Sequence, residues 1–362
     1  MDDLTVFDDA LTVCRLYTEP VTKGPALSVS ASLPPVAIPI QPSLLAAYGD
    51  WLATRQAVLS TKAMFAARSL PVAQASVVLE NALMHTLLHD EVARPAALWP
   101  RVGSEAIAVG LAAARVGDRG LAESLSRGIA ETLREPIRPA ALPQPVVTPW
   151  HFTIGGFQLR RNDWVNRAWQ VVADRDGPAA ATTAVLVSAL RYAGLLARTR
   201  HIGPPRRVYD AFYDWGVRHE GFASPFNARL MGRPGARFFS ACGDVDAPFG
   251  SAGSFFNVQE QTDDGAWCLD PPFLDATIAR VEDRIRRWHR PGAPAILLII
   301  PASYTVANQP DETVLLKRGV HVYEGLAGTE HPLPVDVAIH RYGELPGFNQ
   351  HSVQAGYLPL PS

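Results

Sequence analysis

The segment Asp270-Pro271-Pro272-Phe273 holds the residue types in this sequence that most clearly suggest chemistry. It follows the apolar run Ala266–Leu269, which predicts a strand, and it leads into Phe273–Arg290, which predicts a helix. In an α/β sheet, this order places the segment at the carboxyl end of a strand, where ligands bind. We therefore take these four residues as the candidate catalytic residues.

Methylation of the exocyclic amine of an adenine is the reaction that these residue types suit. The lone pair of that amine is delocalised into the ring, and acceptors aimed at its two N–H bonds make it a better nucleophile. The Asp270 carboxylate and the Pro271 carbonyl can be these acceptors, because the two prolines fix φ and hold the direction of the carbonyl. Phe273 can stack on the base, which is worth roughly 1–3 kcal/mol. Since catalysis is then mostly positioning and electrostatics, we expect no metal.

The segment Glu220–Asn227 lies upstream, in the place of a first strand and its loop. In methyltransferase folds this loop passes under the methionine part of S-adenosylmethionine, and small residues allow the close approach. The candidate cofactor-binding residues here are Glu220, Phe222, Ala223, Ser224, Pro225 and Asn227. By itself, the segment is also typical of a plain junction between a strand and a loop.

The segment Asp244–Ser251 follows the predicted second strand, Ala236–Ala241. An acid at the end of a second strand binds the ribose hydroxyl pair in such folds, and Phe249 can pack on the adenine of the cofactor. The candidate cofactor-binding residues here are Asp244, Asp246, Phe249 and Gly250. An Asx turn with a proline is the alternative. Together, the three segments have the order and spacing of one site.

The whole chain predicts two domains. Residues 1–42 are a proline-interrupted lead segment, residues 43–135 are mostly helical, and the proline-rich run Glu135–Pro149 marks a boundary. We expect the lead segment and helical domain in residues 1–149 and the methyltransferase domain in residues 150–362. From Gly221 onward, short apolar runs alternate with glycine loops and helices, as in an α/β sheet. The predicted strands are Gly221–Ala223, Ala236–Ala241, Ala266–Leu269, Ala295–Ile300 and Val335–His340.

The composition limits the kinds of partner. The formal net charge is -2, so any site for a polyanion must be a local patch. Arginines cluster in residues 198–237 and 280–290, which predicts either a phosphate track or a solvated surface. The three cysteines suggest neither a disulfide framework nor a zinc site. With no signal peptide and no apolar run long enough for a bilayer, we expect a soluble intracellular protein of the nucleus or the cytoplasm.

Residues from about Leu190 to Arg341 resemble the methyltransferase domain of the phosphorylated-CTD-interacting-factor family, a family of cap-specific adenosine N6-methyltransferases. The segments that carry the resemblance are Leu190-Arg191-Tyr192, Phe222–Asn227, Phe239-Ser240-Ala241, Asp244-Val245-Asp246, Phe249-Gly250-Ser251, Asp270–Phe273 and Ile299-Ile300-Pro301. The resemblance implies an α/β, Rossmann-like class I S-adenosylmethionine-dependent methyltransferase core joined to an N-terminal mainly helical domain. It also implies S-adenosylmethionine as cofactor, S-adenosylhomocysteine as product, and the cap-adjacent 2'-O-methyladenosine of mRNA as substrate.

The sequence departs from the family pattern in three places. Asp270 stands where the family usually has Asn, and Ala302-Ser303 follows Pro301 where the family tends to have an acidic–aromatic pair. We also find no WW domain upstream, so tethering to a phosphorylated polymerase tail is not predicted.

These departures leave two alternatives open. One is a DNA or internal RNA adenine N6-methyltransferase, and the other is a catalytically silent RNA-binding scaffold. The expected partners are capped mRNA or another single-stranded RNA end and no membrane. A partner protein or a second copy of the chain would bind through the helical domain.

Overall fold

The computed structural model describes residues 42–89, 102–114, 116, 119–132, 141–194, 202–262, 264–325, 329–333 and 335–360. The predicted lead segment lies outside these residues except for Pro42. The chain divides into two compact units, one of Met1–Arg161 with Val165–Arg198 and one of Asn162–Trp164 with Thr199–Ser362. This division falls later in the chain than the boundary at 149/150 that we predicted, because the helix Pro178–Gly194 packs on the helix Pro42–Ala66.

The described part of the first unit combines helices with a small antiparallel sheet. Its helices are α1 (Pro42–Ala66), α2 (Gln74–His89), α3 (Ser104–Ala113), α4 (Arg119–Thr132), α5 (Asp163–Asp176), whose first two residues belong to the second unit, and α6 (Pro178–Gly194). Its strands, in sheet order, are β1 (Val146–Val147), β2 (His151–Ile154) and β3 (Phe157–Arg160). Most of the described residues of the range 43–135, which we predicted to be mostly helical, lie in α1 to α4. None of the described helices is long and apolar enough to span a membrane.

Helix α6 is buried along most of its length and packs on α1. The Thr54 hydroxyl donates to the Gly194 carbonyl at 2.5 Å, and the Arg191 guanidinium lies 2.7 Å from the Asp50 carboxylate. Both charged side chains are largely buried. Removing one partner of a buried ion pair leaves an uncompensated charge, at a cost of roughly 3–5 kcal/mol. Arg191 therefore joins these two helices.

Two helical glycines of the first unit make a matched pair for a stability test. A Cβ on Gly110 in α3 would overlap the backbone carbonyl of Val78 in α2, whereas one on Gly128 in α4 would meet only the Met64 sulfur, at 4.0 Å. We expect Gly110→Ala to lower the free energy of unfolding by about 1–3 kcal/mol through overpacking. Gly128→Ala should raise it by about 0.5–1 kcal/mol, because alanine is the better helix former. Chemical denaturation measures both, and equal effects would contradict the close packing of α2 on α3.

The second unit is built on a six-stranded mixed sheet. The sheet strands, in sheet order, are β5 (Arg237–Ser240), β4 (Val217–Ala223), β6 (Ala266–Leu269), β7 (Ile296–Pro301), β11 (Val337–Tyr342) and β8 (Glu312–Leu316). The first four are parallel, and β11 is antiparallel to both of its neighbours. A separate antiparallel pair is formed by β9 (Val322–Glu324) and β10 (Glu330–Pro332).

A short segment extends this sheet beyond β5. Ser251 forms an isolated parallel bridge with Phe238, and the Ala252 N–H donates to the Phe238 carbonyl at 2.9 Å. The Ser240 N–H donates to the Gly253 carbonyl at 2.8 Å. The outer edge of β5 is therefore paired with a parallel segment too short to be a strand.

Apolar side chains cover both faces of the sheet. The helices of this unit are α7 (Arg206–Asp214), α8 (Gly243–Asp246), α9 (Asp275–Trp288) and α10 (Gln350–Gly356). On one face, Val208, Tyr209 and Phe212 of α7 share a cluster with Val353 of α10. On the other face, four buried residues of α9 pack with Trp267 and other strand residues. The sheet is thus a middle layer between helices, as the alternation of short apolar runs and helices predicts.

Candidate active site at the carboxyl edge of the parallel strands

The parallel strands end at one edge of the sheet, and the predicted site segments follow three of them. Ser224 follows β4, the turn at Asp244 follows β5, and Asp270 follows β6. Because these three strands are neighbours and parallel, their carboxyl ends lie side by side. The fold therefore brings the three segments to one edge of the sheet.

Asp270 and Pro271 provide two acceptors at the end of β6. Asp270 is half-buried, and burial raises the pKa of its carboxyl to about 8, with the Glu220 charge adding to the rise and Arg229 opposing it. The Pro272 carbonyl accepts a hydrogen bond from the Leu274 N–H at 2.7 Å. Among the described residues, no hydrogen bond uses the Pro271 carbonyl. Both acceptors that an amine would need are therefore present, and the Pro271 carbonyl has no hydrogen bond from the described part of the chain.

Glu220 lies inside β4, beneath this edge. It pairs in register with Cys268 of β6 and is only 3% exposed. Burial raises the pKa of its carboxyl to about 7, although the Leu230 N–H, which it accepts at 2.9 Å, and the Arg229 charge favour the ionised form. We predicted Glu220 as a cofactor-binding residue. In the structure its carboxyl is enclosed by protein groups and acts on Asp270 through its charge.

Arg229 is the most important residue that the sequence interpretation missed at this site. Its side chain is buried, its Nε donates to the Pro204 carbonyl at 3.0 Å, and its Nη2 donates to the Glu324 carbonyl at 3.1 Å. The guanidinium also lies 4.2 Å from the centre of the Trp164 ring. Its Nη1 is buried and has no hydrogen-bond partner in the described part of the chain. The sequence placed Arg229 in an arginine cluster, and no local pattern distinguished this one buried arginine from its exposed neighbours.

A segment at Gly203 forms a wall beside Asp270. Gly203 and Glu324 exchange two backbone hydrogen bonds, of 3.2 and 2.8 Å, and a Cβ on Gly203 would lie 3.7 Å from the Asp270 Oδ2. The Glu324 carboxylate accepts from the Trp164 indole N–H at 3.2 Å and from the Arg206 backbone N–H at 2.7 Å. This wall is therefore joined to β9 by both backbone and side-chain hydrogen bonds. Glu324 and Trp164 were not among the predicted site residues.

The loop after β4 is closed by its own asparagine. The Asn227 Oδ1 accepts from the Ser224 N–H at 2.6 Å and from the Ser224 hydroxyl at 3.0 Å. The Phe226 N–H donates to the Ser224 hydroxyl oxygen at 3.2 Å. Ser224, Pro225 and Phe226 are buried, while Phe222 and Ala223 are partly exposed. Asn227, which we predicted to bind a cofactor, uses its amide oxygen to hold this loop.

Replacement of Asn227 tests that role. We expect Asn227→Ala to lower the free energy of unfolding by about 1–3 kcal/mol, because two donors of the buried Ser224 lose their acceptor. Asn227→Asp keeps an acceptor oxygen and should stay close to the wild type. Urea denaturation followed by circular dichroism measures both values. An equal loss in the two variants would show that the acceptor oxygen does not hold the loop.

The two candidate acids after β5 lie in different environments. Asp244 is exposed, whereas Asp246 is fully buried at the end of α8. Phe249 is 1% exposed, and its ring lies 6.5 Å from that of Phe226 in the neighbouring loop. Gly250 has a φ of 90° and ends the short helical turn before it, a conformation that favours glycine. Asp244 is therefore the acid of this pair whose carboxylate is open to a ligand.

The arginine cluster of residues 198–237 is largely engaged within the protein. Arg207 pairs with Glu330, Arg233 with Asp210, and Arg237 with Asp264. The guanidinium of Arg218 lies 4.0 Å from the centre of the Tyr213 ring. Arg198 and Arg200 lie outside the described residues. These described arginines therefore already have acidic or aromatic partners, and the phosphate track stays a prediction.

The segment after β7 is held by a buried acid. Glu282 of α9 accepts from the backbone N–H groups of Ala307 and Asn308, at 2.6 and 3.2 Å, and from the Tyr304 hydroxyl at 3.1 Å. The Ala302 N–H donates to the Asp336 carbonyl at 2.9 Å. The departure at Ala302-Ser303 thus lies in a fixed turn at the same edge of the sheet.

A family profile described as phosphorylated CTD interacting factor 1 WW domain matches residues 176–309, which is less than half of the chain. That description names a WW domain, and our expectation that the chain has none is at odds with it. The matched residues include α7, α9 and the parallel strands β4 to β7. No curated protein matches the chain significantly. The profile match supports the resemblance to the phosphorylated-CTD-interacting-factor family.

Proposed function

We propose that this chain is an S-adenosylmethionine-dependent methyltransferase that transfers a methyl group to N6 of adenosine. The observation that carries the proposal is the placement of Asp270–Phe273, Ser224 and Asp244 at the adjacent carboxyl ends of β6, β4 and β5. Ligands of open α/β sheets bind at this edge. Asp270 and the available Pro271 carbonyl have the chemistry to accept the two amine protons.

The strand order supports a Rossmann-like class I core. The parallel strands run in the order β5-β4-β6-β7, so the chain reverses direction across the sheet between β4 and β6. The parallel segment at Ser251 lies outside β5, and the antiparallel β11 lies between β7 and β8. A topological switch point of this kind creates the crevice in which α/β enzymes hold a cofactor.

The residues at this edge fit S-adenosylmethionine. Asp244 offers an open carboxylate for a ribose, and the small residues Ala223 and Ser224 allow close approach of the methionine part. The buried Arg229 Nη1 is a donor in need of an acceptor. When bound, the cofactor supplies a methyl group on a positively charged sulfur, which is a good leaving group. The chain itself then has to position the amine and exclude water.

Within this reaction, the cap-adjacent adenosine of mRNA is the substrate that the family resemblance favours. An unpaired 5′ nucleotide needs no flipping from a duplex, which saves the unstacking energy. Phe273 is partly buried against the α7 face and can offer one side of its ring to a base. A single-stranded RNA end is therefore the proposed partner.

The test is direct methylation of defined substrates. The full chain is incubated with labelled S-adenosylmethionine and capped RNA beginning with 2'-O-methyladenosine, and the product is digested to nucleosides. We expect N6,2'-O-dimethyladenosine. Uncapped RNA, internal adenosines and single- and double-stranded DNA are the parallel arms, and methylation only of DNA would replace the RNA proposal. Cofactor binding without any N6-methylated product would overturn the enzymatic proposal.

A second candidate function is a binding scaffold. The family description names interaction with a phosphorylated CTD, and Ala302-Ser303 departs from the family pattern in a fixed turn of the site. A scaffold that has lost its cofactor pocket would not bind S-adenosylmethionine. Calorimetry with the cofactor separates the two functions, because tight binding argues against such a scaffold.

A further inference from the structure

Two carboxyl groups lie on one face of the neighbouring strands β4 and β6. Glu220 is in register with Cys268, and Asp270 lies two residues beyond Cys268. Alternate residues of a strand face the same side, so Asp270 projects toward the face that carries Glu220. Glu220 is almost fully buried and Asp270 is half-buried. The Glu220 charge raises the pKa of Asp270, and two like charges with little water to solvate them favour the binding of a proton.

The groups around the pair supply too little positive charge for two ionised carboxylates. The facing groups are Arg229, the Tyr209 hydroxyl of α7, the Cys268 thiol of β6, the Tyr323 hydroxyl of β9 and the Tyr357 hydroxyl after α10. Burial raises the pKa of the Tyr209, Cys268, Tyr323 and Tyr357 side chains well above their usual values, so all four stay neutral. The one cation, Arg229, is also attracted by the Glu324 carboxylate. One proton on the pair leaves a single ionised carboxylate of the pair opposite Arg229.

Two tyrosine hydroxyls interact with the charge of Asp270. Burial and then the Asp270 charge are the main causes of the raised pKa of Tyr323. In the described part of the chain, the hydroxyls of Tyr323 and Tyr357 are buried and have no hydrogen-bond partner. A hydroxyl donates to a carboxylate and accepts from a carboxylic acid. The surroundings of Asp270 therefore suit a group that gains and loses a proton.

We propose that Asp270 and Glu220 share one proton in the resting protein, and that Asp270 takes up the proton which the substrate amine releases on methylation. This inference rests on the proposed function. The amine nitrogen gains the methyl group as the donor's carbon–sulfur bond breaks, with the bonding pair staying on sulfur, and it then gives up one N–H proton. Asp270 in its ionised form accepts that proton and becomes a neutral acid, and loss of the proton to solvent restores the pair.

An asparagine at this position would keep one acceptor oxygen but could not take up a proton. Asp270→Asn therefore separates proton uptake from hydrogen bonding, and Glu220→Gln removes the second member of the pair. Asp264→Asn is the control, because Asp264 is exposed and pairs with His219 and Arg237 away from this pair.

The first measurement needs no substrate. Carbon-13 NMR of the side-chain carboxyls is recorded on the full chain from about pH 5 to pH 10. We expect a carboxyl that titrates near pH 7 to 8 in the wild type and in Asp264→Asn. In Asp270→Asn and in Glu220→Gln the remaining carboxyl should titrate at lower pH, because its negative neighbour is gone. If every carboxyl of the wild type titrates below about pH 6, the shared proton does not exist.

The second measurement is the single-turnover rate of methyl transfer to capped RNA over the same pH range. The wild-type rate should fall as the pH drops below the NMR midpoint, and the rate of Asp270→Asn should not depend on pH. The same pH profile in both proteins would overturn the proton-accepting role while leaving the proposed function intact. A titrating pair in a wild type that methylates no adenosine would overturn both the proposed function and this role.

Discussion

Replacing Asp270 by alanine should lower the rate of adenosine methylation by about 10²- to 10³-fold above about pH 8, where Asp270 is ionised, because the amine loses its charged acceptor at the end of β6. Cofactor affinity should stay within about tenfold, since the residues that we place around the cofactor belong to β4 and β5. The Asp270 carboxyl has a raised pKa in the folded chain, so it destabilises the folded state at high pH, and its removal should favour folding there. Unfolding is therefore not the expected cause of the lost activity. Single-turnover kinetics and calorimetry with S-adenosylmethionine measure the two effects.

Asp270→Asn is the matched control for this variant. It keeps an oxygen acceptor, so its rate should fall by about tenfold, the difference between a charged and a neutral hydrogen bond. It also restores the residue that the family pattern usually has at this position. Full activity of Asp270→Ala would remove Asp270 from the mechanism. Equal losses in both variants would show that the charge of Asp270, and not its acceptor oxygen, carries the effect.

The sequence predicted the parts of the fold that follow from local periodicity. The run Ala266–Leu269 is β6 at the same residues, and Ala295–Ile300 is β7 displaced by one residue at each end. Buried parallel strands are continuous apolar runs, and this makes them easy to find. The strands β8, β9 and β10 were not predicted, because they are short and their residues are only partly apolar.

The sequence could predict the edges of the site but not its interior. Strand ends follow from the order of elements, so Asp270, Ser224 and Asp244 could be placed together from the sequence. The cluster beneath them joins Arg229 to Glu324, which is far along the chain, and to Trp164, which is far before it. No spacing rule connects residues from three distant segments. The same limit hides from the sequence that the Glu220 carboxyl is enclosed by Arg229, Leu230 and Tyr209.

Arg229 is expected to have the largest effect on stability of any residue in the site. Its guanidinium is the one described cation that attracts Glu220, Asp270 and Glu324 together. The guanidinium also lies over the Trp164 ring, and the Arg206 guanidinium lies 4.4 Å from the centre of the same ring. We expect Arg229→Met to lower the free energy of unfolding by about 3–5 kcal/mol near pH 8, because buried carboxylates lose their counter-ion. Methionine keeps much of the apolar volume, so the loss should report the charge more than a cavity.

The pH dependence and a matched arginine make this prediction specific. The Asp270 and Glu220 carboxyls have raised pKa values in the folded chain, so on folding they must bind protons that the unfolded chain has lost, and this becomes more costly as the pH rises from about 4 to about 8. The loss in Arg229→Met should therefore be smaller at pH 6, where the carboxyls can bind protons.

Arg233→Met is the control, because Arg233 pairs with the exposed Asp210 and should cost less than about 1 kcal/mol. Adding Glu220→Gln to Arg229→Met should recover part of the stability, since one of the unbalanced charges is then absent. Denaturation of the wild type, Arg229→Met, Glu220→Gln, the double variant and Arg233→Met at both pH values measures this coupling. Equal losses for the two arginines would show that Arg229 is not the counter-ion of the pair.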